Sequence, residues 1–139
     1  MNVLLFDRSA YIRNMIQKNL VQFKESMKIT SSENISSAVN EIKYFRYDLI
    51  ILDMDNLDGQ FLTFNRTAQD LNSDAIVIML TSFPNSIIME RFKQQGVDYC
   101  LDKTTEFEIL LNRIEELLSD LERYHFKPSR HYEELQSWD

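Results

Sequence analysis

The chain has few of the residues on which common catalytic and metal sites are built. Its single cysteine, Cys100, excludes an intrachain disulfide framework and any Cys-rich metal knuckle. Both histidines, His125 and His131, fall in the last 15 residues. Residues 1–124 therefore hold no Ser–His or Cys–His nucleophile pair and no His-ligated metal. Two glycines leave no GxGxxG or GxxxxGK phosphate loop. Cationic side chains are outnumbered, 15 Lys+Arg against 22 Asp+Glu, and the formal charge of −7 suits a nucleic-acid backbone poorly. No apolar run approaches the roughly 20 residues of a transmembrane helix. The start, Met1-Asn2-Val3-Leu4-Leu5-Phe6-Asp7, lacks a basic lead and a small-residue cleavage site. These absences point to a cytoplasmic protein with no direct contact to nucleic acid or membrane.

What is present is a regular alternation. Apolar runs of strand length occur at Val3–Phe6, Ile50–Leu52 and Ala75–Leu80, with weaker ones at Met27–Thr30 and Tyr99–Leu101. The run Ala75–Leu80 is apolar throughout, as expected of a strand covered on both faces. Between the runs, apolar residues recur at helical spacing: Ile35, Ala38, Val39, Ile42, then Phe61, Phe64, Ala68, Leu71. The longest stripe is Phe107, Leu110, Leu111, Ile114, Leu117, Leu118, Leu121, with Thr105 and Glu108 spaced as a capping box. Ser9–Phe23 and Pro84–Gln95 read as two further helices, with Pro84 in a first turn and Gly96 closing the second. Five β-α units joined by right-handed crossovers predict a doubly wound α/β fold with a parallel five-stranded sheet.

In such sheets ligands bind outside the C-terminal strand ends. The sequence puts Asp7, Asp53, Thr81 and Lys103 at four of those ends. Two carboxylates, a hydroxyl and an ammonium on one rim suit a phosphoryl group handled by a carboxylate, with cations neutralising the charge.

The final segment reads differently. The last long helix is expected to run to about Tyr124, and Phe126-Lys127-Pro128-Ser129 breaks it. Ser129–Trp138 has the pattern of a short helix with Tyr132, Leu135 and Trp138 on one side. A tail docked on its own domain or idle in solution is preferred to a partner-binding helix. The domain is thus placed at residues 1–121 and a tail at 122–139.

At these residues the chain resembles the receiver domain of bacterial two-component response regulators, the chemotaxis-regulator-like fold. The segments that carry the resemblance are Leu4-Leu5-Phe6-Asp7-Arg8-Ser9 with Arg13, Asp48-Leu49-Ile50-Ile51-Leu52-Asp53, Leu80-Thr81-Ser82, and Gly96-Val97-Asp98-Tyr99-Cys100-Leu101-Asp102-Lys103. The resemblance covers about residues 1–121 and implies a flavodoxin-like strand order, 2-1-3-4-5. It implies Asp53 as phosphoacceptor from a histidine kinase, a phosphotransfer protein or a small phosphodonor, with Thr81 and Lys103 on phosphoryl oxygens. It implies Mg²⁺ among Asp7, Asp53 and Asp55. Output would be contact with a downstream protein, as a monomer or as a homodimer through helix 4, strand 5 and helix 5. No enzyme activity beyond self-phosphorylation and autodephosphorylation is expected, and 139 residues leave no effector domain.

The departures from the family pattern are specific. The second acid after strand one is Arg8. The loop Asp53-Met54-Asp55-Asn56-Leu57-Asp58-Gly59 is shorter than the family's and lacks its Met-Pro. Thr104 stands where proline is usual after the lysine, and Cys100 where a switch aromatic is common. Cys100 reads as a small buried hydrophobe rather than a redox thiol. Two other readings compete with a phosphorylation switch. One is a pseudo-receiver that binds partners without phosphoryl transfer, its Lys103–Asp53 pair a simple rim ion pair. The other, a minor one, is a haloacid-dehalogenase-like phosphatase suggested by Asp53-Met54-Asp55, although a strand and helices precede that motif here.

Overall fold

The computed structural model describes residues 1–23, 27–56, 60–105 and 107–124. Five strands alternate with five helices: β1 Asn2–Phe6, α1 Ala10–Phe23, β2 Lys28–Ser32, α2 Ile35–Tyr44, β3 Leu49–Asp53, α3 Phe61–Leu71, β4 Ile76–Thr81, α4 Ser86–Gln94, β5 Tyr99–Asp102 and α5 Phe107–Tyr124. The strands form one sheet in the order β2-β1-β3-β4-β5, every pair parallel. This is the doubly wound order expected, with the chain reversing direction across the sheet between β1 and β3.

Period-two alternation divides each strand between two cores. Val3, Leu5, Leu49, Ile51, Ile78, Leu80, Tyr99 and Leu101 face α1 and α5, where Ile16, Leu20, Leu110, Ile114 and Leu117 meet them. Leu4, Phe6, Ile50, Leu52, Val77, Met79 and Cys100 face the other way, against Ala38, Ile42, Phe64 and Ala68 of α2 and α3. Both faces being covered explains why β3 is buried at all five positions. Cys100 sits inside the second core, as a small hydrophobe should.

Some helix boundaries differ from the sequence reading, each for a local reason. Pro84 precedes α4 instead of opening it, because the Asn85 side chain accepts from the amides of Ile87 and Ile88 and makes the cap. The Thr105 hydroxyl donates to the Asp102 carbonyl, and α5 begins two residues later at Phe107. Leu71 is 53% exposed, since at the end of α3 it is Asn72 that turns inward. There Asn72 accepts from the Tyr47 amide at 2.7 Å and donates to the Ile42 carbonyl at 2.9 Å, tying the end of α3 to α2 and to the connection that leads into β3. Gly96, at φ +95°, follows α4 as expected, and a side chain there would also strike Gln69.

α4 is seated more lightly than its neighbours. None of its side chains is fully buried, and Met89 and Phe92 reach the core only partly. Phe92 packs edge-on to Phe61 with ring centroids 4.6 Å apart. Phe83 and Ile87, at the start of this segment, are 77% and 71% exposed. α5 runs to Tyr124, the end expected for it. The short helix read at Ser129–Trp138 lies outside the described residues, as do His125 and His131.

Candidate functional site

The same alternation that builds the cores builds the rim. Asp7, Asp53 and Lys103 continue the Val3–Leu5, Leu49–Ile51 and Tyr99–Leu101 series, so the three leave their strands on one side. Thr81 continues the Val77–Met79 series and leaves β4 on the α4 side. All four are brought to one end of the sheet, and Asp7, Asp53 and Thr81 are each 1% exposed or less.

The Lys103 ammonium bridges the two buried acids, 3.0 Å from Asp53 Oδ1 and 3.1 Å from Asp7 Oδ2. Its backbone is pinned by its own amide, which donates to the Thr81 carbonyl. The residue after it is not proline, and the turn is held another way: the Thr104 amide and hydroxyl both donate to Asp102 Oδ1. Asp7 is held by the Ser9 amide on Oδ1 at 2.8 Å, and the Arg13 guanidinium donates to the Asp7 carbonyl. Arg8, the next residue along the chain after Asp7, is exposed.

Asp55, expected among the metal ligands, also reaches the neighbouring strand end. A 3₁₀ turn at Met54–Asn56 lets its amide donate to Asp53 Oδ1 at 3.0 Å while its carboxylate turns toward β4. That carboxylate accepts from the Ser82 amide at 3.0 and 3.2 Å and from the Thr81 hydroxyl at 3.3 Å, and lies 3.9 Å from the Lys103 ammonium. The Ser82 amide is a site group the sequence did not announce, because a backbone N–H carries no side-chain signature.

Charge and burial pull against each other here. Burial raises the Asp7 carboxyl above the ordinary Asp range, and the Asp53 charge adds to it. The Ser9 amide and Lys103 offset only part of this. Burial works against the Lys103 ammonium, but hydrogen bonds to Asp53 and Asp7 and their charges outweigh it, so lysine too is raised. Burial, with the Asp55 charge behind it, pushes the Cys100 thiol up to about 11. A thiol so held is protonated near neutrality and is a poor nucleophile.

Among the described residues, no three carboxylate, imidazole or thiol groups are already drawn together as a cation cage. The donor chemistry nevertheless fits a hard divalent ion. Asp7, Asp53 and Asp55 set three carboxylates against the one ammonium of Lys103, leaving an excess of negative charge in an all-oxygen donor set.

A model of the response regulator receiver domain matches residues 3–115. The chain belongs to that family. This receiver is 23% identical over 127 residues to the sensory transduction protein LytR of Staphylococcus saprophyticus, covering 90% of the chain and 50% of that relative, so it spans about half the relative's length. Among solved structures, a CheY-like response regulator receiver protein from Methanospirillum hungatei superposes with a TM-score of 0.72 at 19% identity, covering 88% of this receiver and 96% of that chain. A response regulator from Burkholderia pseudomallei, solved with a phosphorylated aspartic acid, a calcium ion and citrate, gives 0.67 at 18% identity, over 88% and 74% of the two chains. The receiver is a module of two-component signalling, a setting in which response regulators meet histidine kinases or phosphotransfer proteins. Family membership displaces the dehalogenase-like reading, and Asp53 closes the third strand of this sheet rather than a first one. No helix among the described residues is long and apolar enough to cross a membrane.

Proposed function

We propose that this receiver is a cytoplasmic switch that takes a phosphoryl group on Asp53. The observation that carries the reading is the Lys103 ammonium set between the buried Asp53 and Asp7 carboxylates, with the Thr81 hydroxyl at the neighbouring strand end. An Asp53 oxygen forms the new O–P bond as the N–P bond of a phosphohistidine breaks, the imidazole leaving with the electron pair. Lys103 and Thr81 offer the charge and the hydrogen bond that the transferred group requires. Asp7 and Asp53 are the carboxylates that would hold Mg²⁺, and Asp55 is the third acid within reach. Bound there, Mg²⁺ supplies positive charge against which one anion can meet another. The response regulator solved with a phosphorylated aspartic acid and a calcium ion supports the same chemistry.

The domain proper is residues 1–121, and its output is contact with a protein target through α4, β5 and α5, as a monomer or a homodimer. Beyond self-phosphorylation and autodephosphorylation we assign it no catalysis. Exposure to acetyl phosphate with Mg²⁺ should yield a phosphoprotein by intact mass, and Asp53→Asn should abolish it. Absence of label at millimolar Mg²⁺ would instead favour the second reading, a receiver that binds partners without phosphorylation. Arg8, in place of the second acid, is the observation on that side.

A further inference from the structure

The groups best placed to receive phosphoryl oxygens beside Asp53 are already in use. Three donors lie at the strand ends near that carboxylate: the Thr81 hydroxyl, the Ser82 amide and the Lys103 ammonium. The Asp55 carboxylate engages the first two at 3.0–3.3 Å and lies 3.9 Å from the third. Its own amide donates to Asp53 Oδ1, so the carboxylate is anchored next to the acceptor by the same residue. Its side chain is 19% exposed, against 0% for Asp53, so it has a path outward that the acceptor lacks.

We infer that Asp55 is a gate: its carboxylate occupies the anion-holding donors in the resting receiver and must leave them for Asp53 to be phosphorylated. A phosphoryl group on Asp53 would bring further negative charge against the Asp55 carboxylate and compete for the same N–H and O–H groups. Both effects act in one direction, expelling Asp55 toward solvent. The receiver thus pays in advance for a hydrogen-bond set that its signal has to take over. Two of the three donors, on Thr81 and Ser82, lie where β4 gives way to the segment leading into α4, so the exchange of one anion for the other is felt ahead of that helix.

The inference rests on Asp53 being the acceptor, and the test separates the two. Intact-mass kinetics with acetyl phosphate and Mg²⁺ would be run on wild type, Asp55→Asn, Asp55→Ala and Asp53→Asn. In each transfer Asp53 oxygen bonds to phosphorus as the P–O bond to acetate breaks, acetate leaving with the electron pair. Asp55→Asn keeps an acceptor for Ser82 without the charge, and Asp55→Ala removes both. The expected order of initial rates is Ala above Asn above wild type, the Ala variant about tenfold faster. Rates are compared at saturating Mg²⁺, with the affinity of each chain measured by calorimetry, so that loss of a carboxylate near the metal does not enter the comparison. Equal rates in the Asp53-dependent reaction would overturn the gate while leaving the acceptor in place. Slower labelling with weaker Mg²⁺ binding would make Asp55 a metal ligand and also overturn it. Label that survives Asp53→Asn, or none in any chain, would overturn both readings. Should the Ala variant fold poorly by circular dichroism, the Asn variant decides alone.

Discussion

Lys103 Nζ stands 3.0 Å from Asp53 Oδ1, joining the ends of β5 and β3, two strands that are not neighbours in the sheet. The strand between them, β4, carries Thr81, whose carbonyl holds the Lys103 amide. The Lys103 ammonium therefore closes over the top of β4, and its loss should be felt as stability as well as function. Lys103→Met would leave two buried carboxylates without their cation, and a loss of about 3 kcal/mol in urea denaturation is expected. A loss under about 1 kcal/mol would mean that the pair is mostly solvated.

Removing one acid should act in the opposite direction. Asp53→Asn keeps an oxygen for the Asp55 amide and ends the repulsion between Asp53 and Asp7. A gain of about 1 kcal/mol is expected, together with a fall in the Asp7 pKa followed by carboxyl NMR. An unchanged Asp7 titration would show that burial alone sets it.

Alkaline pH should destabilise the fold before lysine titrates. Cys100 has an ordinary value of 9.0 and is pushed up to about 11 by burial. Between those values the unfolded chain releases a proton that the folded one keeps, so stability falls as pH rises. The contribution is fully present below 9.0, and its loss amounts to about 2–3 kcal/mol once pH passes the folded value. Lys103, raised in the same sense, adds its own loss above 10.5. Cys100→Ala should lower stability at neutral pH through the cavity it leaves, yet flatten the slope in this window. Equal slopes in the two proteins, from urea midpoints taken across it, would refute the assignment.

Arg8 replaces the acid usual at its position, so restoring a carboxylate tests what it does. Arg8→Asp should tighten Mg²⁺ binding by about tenfold, because a fixed positive charge leaves the rim and an oxygen ligand joins it. Calorimetry reads this directly, and an unchanged affinity would remove Arg8 as the cause of any weak metal binding.

Asn72 should matter to folding alone. Asn72→Leu would strand the buried Tyr47 amide and the Ile42 carbonyl, at a cost of about 2–4 kcal/mol. Phosphorylation at Asp53 in the folded fraction should be unchanged.

The two-sided burial of β4, the alternation of strands with helices and the four rim residues were legible because each is a local pattern, an unbroken apolar run or a period of 2 or 3.6 residues. The placement of Asp55 was not. Its partners lie 26 and 27 residues further along, and one of them is a backbone amide. Asn72 was equally silent: it reads as a residue ending a helix, whereas its role depends on groups 25 and 30 residues away. The apolar content of α4 was visible, but not how little of it the sheet would cover. That is decided by how the loops on either side set the helix down.

The light seating of α4 has a kinetic consequence. A helix with no fully buried side chain and only Met89 and Phe92 turned inward has little free energy holding it closed. Its amides should exchange with solvent through a local opening far below the global unfolding energy, ahead of those in α2 or β3. A small input at Thr81 and Ser82 is then enough to change how often that opening occurs, so the signal can be carried by a population rather than by a single displaced structure.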